Sequence, residues 1–326
     1  MRFVRRHNRN DHNEKQMVFA WALLALIPSQ TTPHLYVVAE NVVVRQTVAP
    51  HFVVIESPTA LTRLTFSKNV DPSANIEVSI WARDAIKKKA WTPVAKSGEL
   101  ILPSPCRKCE IKFTANVAKG TISPCIRLIT AAVAGAKYPR EGNKKASNWG
   151  QITDLVNPTE SFAKDATGGI WCVARTAQFW AKAIGRPDFN LKSDELFQRL
   201  GGSFSSAQLA SLVGTGLGLR SYVTYFRSSA DLDPWLEDAL PVICLLKDSS
   251  SAAERYAILK GFDASGDAVI EQLAGDAGKE SVVPRQVFLN SWRIAQNKVV
   301  LIHPSALTTP NEGATSDVWV AQHTDG

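Results

Sequence analysis

Between residues 35 and 135 the chain reads as short strand-like runs separated by turn formers, several of them alternating apolar and polar side chains with a period of two. The runs are YVVAENVVVRQTV, HFVVIES, LTRLTFS, NIEVSIWAR, CEIKFTANV and CIRLITAAVA, and stretches such as VDPSAN and VAKGTISP interrupt them. Successive side chains of a strand point to opposite faces, so this spacing suits a half-buried sheet and not a helix. Evenly spaced short strands over about a hundred residues predict an all-β sandwich domain, placed at 35–137.

The second half changes character. A polar stretch, YPREGNKKASNWGQ (138–151), reads as an exposed linker. Cys172 to Ile184 reads as a helix closed by Gly185, with Pro187 two residues on. Apolar residues cover most of its circumference, which predicts a buried central helix. Short helices follow at Asp194–Leu200 and Ser206–Val213, then a strand at 220–226, a helix around Asp233–Ala239 and a strand at 241–247. Strands at 255–263 and 267–274, a helix near Pro284–Trp292 and a last strand at 298–304 complete the pattern. Helices first and strands later predict an α+β domain over 152–305, with a disordered polar tail at 306–326.

With 326 residues the chain is long enough for two such domains, and 45% apolar with 21% charged residues is a globular composition. The net charge of +7 comes from scattered runs such as Lys87-Lys88-Lys89, none interleaved with aromatics, so no nucleic acid is expected as a partner. A solvated basic surface of this kind favours an anionic cell-envelope surface. Residues 2–15 are basic and polar, and Met17–Pro28 is an almost unbroken apolar run. That run is too short to span a bilayer comfortably and suits a signal peptide, so residues 1–30 predict export. No clear A-x-A site follows, which leaves a cleaved leader and a retained anchor (17–28) both open.

Three cysteines, Cys106, Cys109 and Cys125, fall close together, while Cys172 and Cys244 stand apart. One C-x-x-C with a third cysteine and no nearby histidine is a poor zinc site. A disulfide from Cys125 to Cys106 or to Cys109 fits an oxidising compartment. The glycine-rich GTGLGL (214–219) has no following lysine and reads as a turn before a strand. Asp231, Asp233, Glu237 and Asp238 read as helix-capping and solvated charges, and the tryptophans, Trp81 and Trp91 among them, as core and edge packing. No cofactor or metal is expected.

Several segments of the second half, taken in order, resemble the C39-like branch of the papain-like cysteine peptidases. GGIWCVARTAQFWAKAIG (168–185) resembles that family's nucleophile segment, a glycine-tryptophan-cysteine turn opening the central helix. LGLRSYVTYFRSSADLDPWLEDALPVICLL (217–246) is similar to its middle portion, RYAILKGFDASGDAVIEQLA (255–274) to its paired histidine and aspartate strands, and VPRQVFLNSW (283–292) to its closing helix. The strand-rich segment before them is similar to the β-sandwich domain that often precedes this branch. The resemblance covers about 55–305 and implies a fold class of α+β, a papain-like (C39-type) domain preceded by an all-β sandwich domain.

It also implies a nucleophile position at Cys172. A thiol at a helix N-terminus feels the positive end of the macrodipole, which favours the thiolate, and first-turn N–H groups can bind an oxyanion. The family's histidine position falls on Arg255 and its aspartate position on Gln272, with Glu271 beside it. Arginine stays protonated and cannot act as a general base, though it could hold Cys172 as a thiolate. The region of the family's oxyanion glutamine offers at best Ser161. The histidines are His7, His12, His34, His51, His303 and His323, so His303, at a strand end expected to face solvent or a loop, is the only substitute base within the domain. Three functions follow as expectations. The first is an exported degenerate peptidase whose cleft binds a peptide or protein. The second is an active peptidase or acyl-transfer enzyme using Cys172, and the third an envelope- or glycan-binding module carried by the β-sandwich.

Overall fold

The structure is a computed structural model. It describes residues 35–43, 50–70, 74–117, 125–135, 146, 148–155, 165–186, 200, 204–213, 219–249, 253–274, 277–305 and 307. The apolar leader, all but Leu200 of the helix expected at Asp194–Leu200, most of GTGLGL, Ser161 and nearly all of the tail lie outside these residues. Among the described residues no helix is long and apolar enough to cross a membrane.

The alternating half folds as β1 (Leu35–Val43), β2 (His51–Val70), β3 (Ala74–Ala82), β4 (Thr92–Pro93), β5 (Glu99–Val117) and β6 (Cys125–Gly135). All six belong to one antiparallel sheet in the order β1-β6-β2-β5-β3-β4. The runs HFVVIES and LTRLTFS, read as two strands, are the two halves of the 20-residue β2. The pairing of β2 with β5 shifts register between Glu56 and Leu61. Pro58 stands there on β2, and Pro103 and Pro105 of β5 lie opposite a second shift, between Leu61 and Arg63. Proline cannot donate to a ladder and settles at such irregularities, so the sheet bends where the sequence withholds N–H groups. Val53, Ile55, Leu64, Phe66, Ile80, Ile111 and Phe113 fill the core of this half.

The second half forms β7 (Leu219–Tyr225), β8 (Val242–Lys247), β9 (Glu254–Phe262), β10 (Ala268–Ala274), β11 (Ala277–Val283) and β12 (Lys298–Pro304). These make a second antiparallel sheet, ordered β11-β10-β9-β8-β12-β7. The helices are α1 (Gly169–Ala183), α2 (Ser206–Ser211), α3 (Asp233–Glu237) and α4 (Arg285–Ile294). Helix α1 lies across β9, β10 and β12, and α4 lies against β8. Every residue of β8 from Val242 to Leu246 is buried, as expected of a strand covered on both faces. The end of the stretch read as an exposed linker is packed: Asn148 is buried and donates to the Asp233 carbonyl, and Trp149 lies under the Arg285 guanidinium.

Strand β6 faces two cores at once. Its Ile129, Ala131 and Val133 join the core of the first sheet, while Leu128, Ala132 and Ala134 join that of the second half. Strand β2 divides by parity in the same way. Leu64 and Phe66 point into the first core, whereas Thr65, Ser67 and Asn69 are buried against β7, an edge of the second sheet. The Thr65 hydroxyl meets the Tyr225 hydroxyl at 2.6 Å, the Val223 N–H donates to Ser67 Oγ at 2.9 Å, and Asn69 Nδ2 donates to the Ser221 carbonyl at 2.9 Å. An unpaired strand edge is a template for aggregation, and here side chains of β2 cap it residue by residue. Ser67→Ala leaves the buried Val223 N–H without its acceptor and should cost about 1–3 kcal/mol, read as a lowered urea midpoint at unchanged m-value.

Candidate functional site

Helix α1 opens at Gly169, so Cys172 stands within its first turn and not at its first residue. Gly168, at φ +69°, makes the left-handed turn into the helix. The start is capped by the Asp165 carboxylate. Its Oδ1 accepts from the Gly169 N–H at 3.0 Å and from the Thr167 N–H and hydroxyl, and its Oδ2 accepts from the Ile170 N–H at 2.9 Å. The Cys172 N–H donates to the Gly168 carbonyl at 3.0 Å. Amides that an oxyanion would need are therefore already bound inside the protein. The positive end of the helix dipole is met by a resident carboxylate.

Cys172 is completely buried. Burial, with the negative charges of Asp165 and Glu271 and the Cys244 thiol nearby, pushes its thiol well above the ordinary range. This is the reverse of the thiolate expected from the helix position. Full desolvation can move a group by on the order of 3–5 pH units. A helix terminus contributes about 0.3–1 kcal/mol, less than one such unit, so burial wins.

The residues matched to the family's histidine and aspartate do not gather around this sulfur. Arg255 is exposed on β9, opposite Leu246, and pairs with Asp248 at 2.7 Å. The next residue, Tyr256, faces the start of α1: its N–H donates to the Thr167 carbonyl, its ring covers Gly169, and its hydroxyl meets Ser206 Oγ at 2.7 Å. Gln272 lies on β10 opposite Lys279, and its buried Oε1 meets no donor among the described residues. Its neighbour Glu271 is buried and accepts from Arg175 Nε at 2.9 Å, with Lys260 Nζ at 3.9 Å. Arg175, one turn after Cys172, also donates to the Leu155 carbonyl at 3.0 Å, and Lys260 reaches Glu280 at 2.6 Å. Arg175 and Glu271 thus tie α1 to β10, and Lys260 of β9 links that pair to Glu280 of β11. Gly278 completes the packing, because a Cβ there would overlap the Trp171 ring.

His303 is fully buried, not at a solvent-facing strand end. Its Nε2 meets the Tyr222 hydroxyl at 3.2 Å, its Nδ1 the Pro304 carbonyl at 2.9 Å, and its ring packs against Tyr222 and Trp235. Two registers set it apart from the cysteine. Val299 of β12 pairs with Cys244, the thiol close to Cys172, and His303 lies four residues further, about 13 Å at the strand rise. On the helix side, Trp180 Nε1 donates to the carbonyl of the adjacent Ile302 at 2.5 Å. Trp180 follows Cys172 by eight residues, about 12 Å of helix.

Asp165, Tyr256 and Arg175 were not singled out by sequence. The signal for Asp165 was the run DATGG, an acceptor followed by glycines just before the apolar helix. In the acidic cluster, Asp231 Oδ2 accepts from the Arg227 N–H at 2.7 Å, and no group of metal-ligating side chains occurs among the described residues.

No protein-family model matches the chain, and no curated protein does. Among solved structures it is similar to a Bacillus anthracis protein described provisionally as a C39-like peptidase. The match has 10% identity and a TM-score of 0.35, and covers 46% of this chain and 94% of that one. A likeness at that level is a weak resemblance and carries no argument about fold or activity.

Glu271→Ala strips the buried Arg175 of its carboxylate and should destabilise the protein by about 3–5 kcal/mol. Arg255→Ala, which removes only an exposed pair, should stay within about 0.5 kcal/mol, both measured by urea denaturation.

Proposed function

We propose that this chain is an exported, degenerate relative of the papain-like C39 peptidases that works by binding a peptide or protein and not by thiol catalysis. The observation that carries the reading is the placement of Cys172: a fully buried thiol, its titration pushed up by that burial, on a helix start already capped by Asp165. A cysteine nucleophile needs a base within about 2.6–3.2 Å and a free oxyanion site. The ring nitrogens of His303 are bonded elsewhere, and its strand position lies several residues away. The helix-on-sheet frame, with α1 opening at GIWC and α4 carrying Arg285, Phe288 and Trp292 into the core, supports the family side of the reading.

The test is labelling of Cys172 by a peptide-like thiol electrophile across pH 4–9, in the native chain, in Arg255→His and in denaturant. Because burial raises the folded thiol, native labelling should stay slow through pH 9 and become complete only on unfolding. Arg255→His should change little, since position 255 is paired with Asp248 on an exposed part of β9. Rapid Cys172 labelling at neutral pH, together with turnover of a peptide substrate, would overturn the proposal.

A second reading, binding through the first sheet, is favoured by a specific patch. Phe52 and Val54 are 45% and 44% exposed on β2. Trp91 packs 5.9 Å from the Phe52 ring and 6.5 Å from that of Trp81. Lys89 Nζ lies 5.1–5.9 Å from all three ring centroids, and Arg83 covers Trp81. Rings and cations on one face suit a ligand with both apolar faces and anionic groups, such as an acidic envelope glycan. Trp91→Ala in the full chain should weaken sedimentation with an anionic cell-wall polysaccharide by about tenfold, the order of one lost anchor contact. Equal binding by variant and wild type would dismiss this reading.

A further inference from the structure

Cys106 and Cys109 stand three apart on β5, where regular alternation would send their side chains to opposite faces. The bend changes that. Cys109 pairs with Ile55 and Cys106 with Leu61, on either side of the register shift, and both side chains end in the core of the first sheet. Each thiol shifts the other's titration, Cys106 downward and Cys109 upward.

The residues between them belong to β5 and are pinned from the end of β3. Asp84, just beyond β3, accepts from the Arg107 N–H at 2.6 Å and from the Lys108 N–H at 3.2 Å. The Arg83 N–H donates to the Lys108 carbonyl at 2.9 Å. Pro105 and Arg107, which flank Cys106, are exposed, so the sulfurs lie one layer beneath the surface. The function proposed above uses neither thiol.

The geometry points to Cys106 and Cys109 as a disulfide-forming pair, oxidised by thiol–disulfide exchange with a small-molecule disulfide. Cys106 Sγ, as thiolate, attacks one sulfur of the small disulfide, forming a mixed disulfide and expelling one small thiolate. Cys109 then loses its proton to that thiolate and attacks Cys106 Sγ, expelling the second. Two protein thiols are oxidised and one small disulfide is reduced to two thiols. The order of attack follows from their interaction. The interaction with Cys109 lowers the Cys106 thiol, while the interaction with Cys106, with burial, raises the Cys109 thiol. The assignment differs from the pairing with Cys125 expected from sequence.

The chain carries its own assay, because Arg107 and Lys108 lie between the two cysteines. Trypsin cuts after both, so residues 97–107 and 109–112 remain joined only through a Cys106–Cys109 bond. The full chain is equilibrated in a series of oxidised-to-reduced glutathione ratios, quenched in acid, alkylated under denaturing conditions and digested. The expected result is a linked 97–107/109–112 pair that appears with rising oxidised glutathione, disappears with dithiothreitol and persists in Cys125→Ser. Linkage of either peptide to residues 120–127, which contain Cys125, would overturn the assignment. So would full alkylation of both thiols at every ratio in the native chain when the denatured chain forms the bond, since the fold would then be holding the sulfurs apart.

Discussion

The rest of this structure depends on a seam in which two strands each serve two neighbours. Strand β6 has apolar side chains on both faces and closes two cores with one backbone. Strand β2 gives apolar residues to one core and three hydroxyl or amide side chains to the edge of the neighbouring sheet. A strand edge must be paired, covered or charged, and β7 is covered by side chains spaced at its own period of two. The far edge of that sheet is treated differently: β11 exposes the charged side chains of Lys279 and Glu280.

The same seam orders the site. Because β7 is fixed from outside, β12 and β8 are fixed next to it, and α1 is laid across a sheet whose registers are already determined. Three buried charges then set the rotation of the helix. Arg175 reaches Glu271 and the Leu155 carbonyl, and Lys260 links Glu271 to Glu280. Such pairs cost desolvation and give little net stability, yet each partner is expensive to remove alone.

Much of the fold was legible because burial leaves a simple mark. CIRLITAAVA is apolar on both parities and is buried on both, and the same logic makes CVARTAQFWAKA a central helix. Strand β11 was missed because AGKESVV, an edge with exposed Lys279, Glu280 and Val282, has no apolar alternation to read. The site was harder. A resemblance places a residue along the chain but not on a face, and a single step from Arg255 to Tyr256 reverses which side chain meets the helix. The state of Cys172 was misjudged because helix position is visible in a sequence, whereas the depth of the sulfur and the carboxylate of Asp165 beside it belong to the folded chain.

On the proposed descent from a thiol peptidase, the capped start of α1 also bears on history. A site that had lost only a histidine could regain activity by one substitution. Here the Gly169 and Ile170 amides are taken by Asp165, the ring of Tyr256 packs on Gly169, and Arg175 is bound to Glu271. Each of these now supports folding, so undoing any one of them first would lower stability with no catalytic return. On that proposed descent, a reactive sulfur at position 172 would be reached only through several less stable intermediates, and selection would hold the present arrangement as a one-way ratchet.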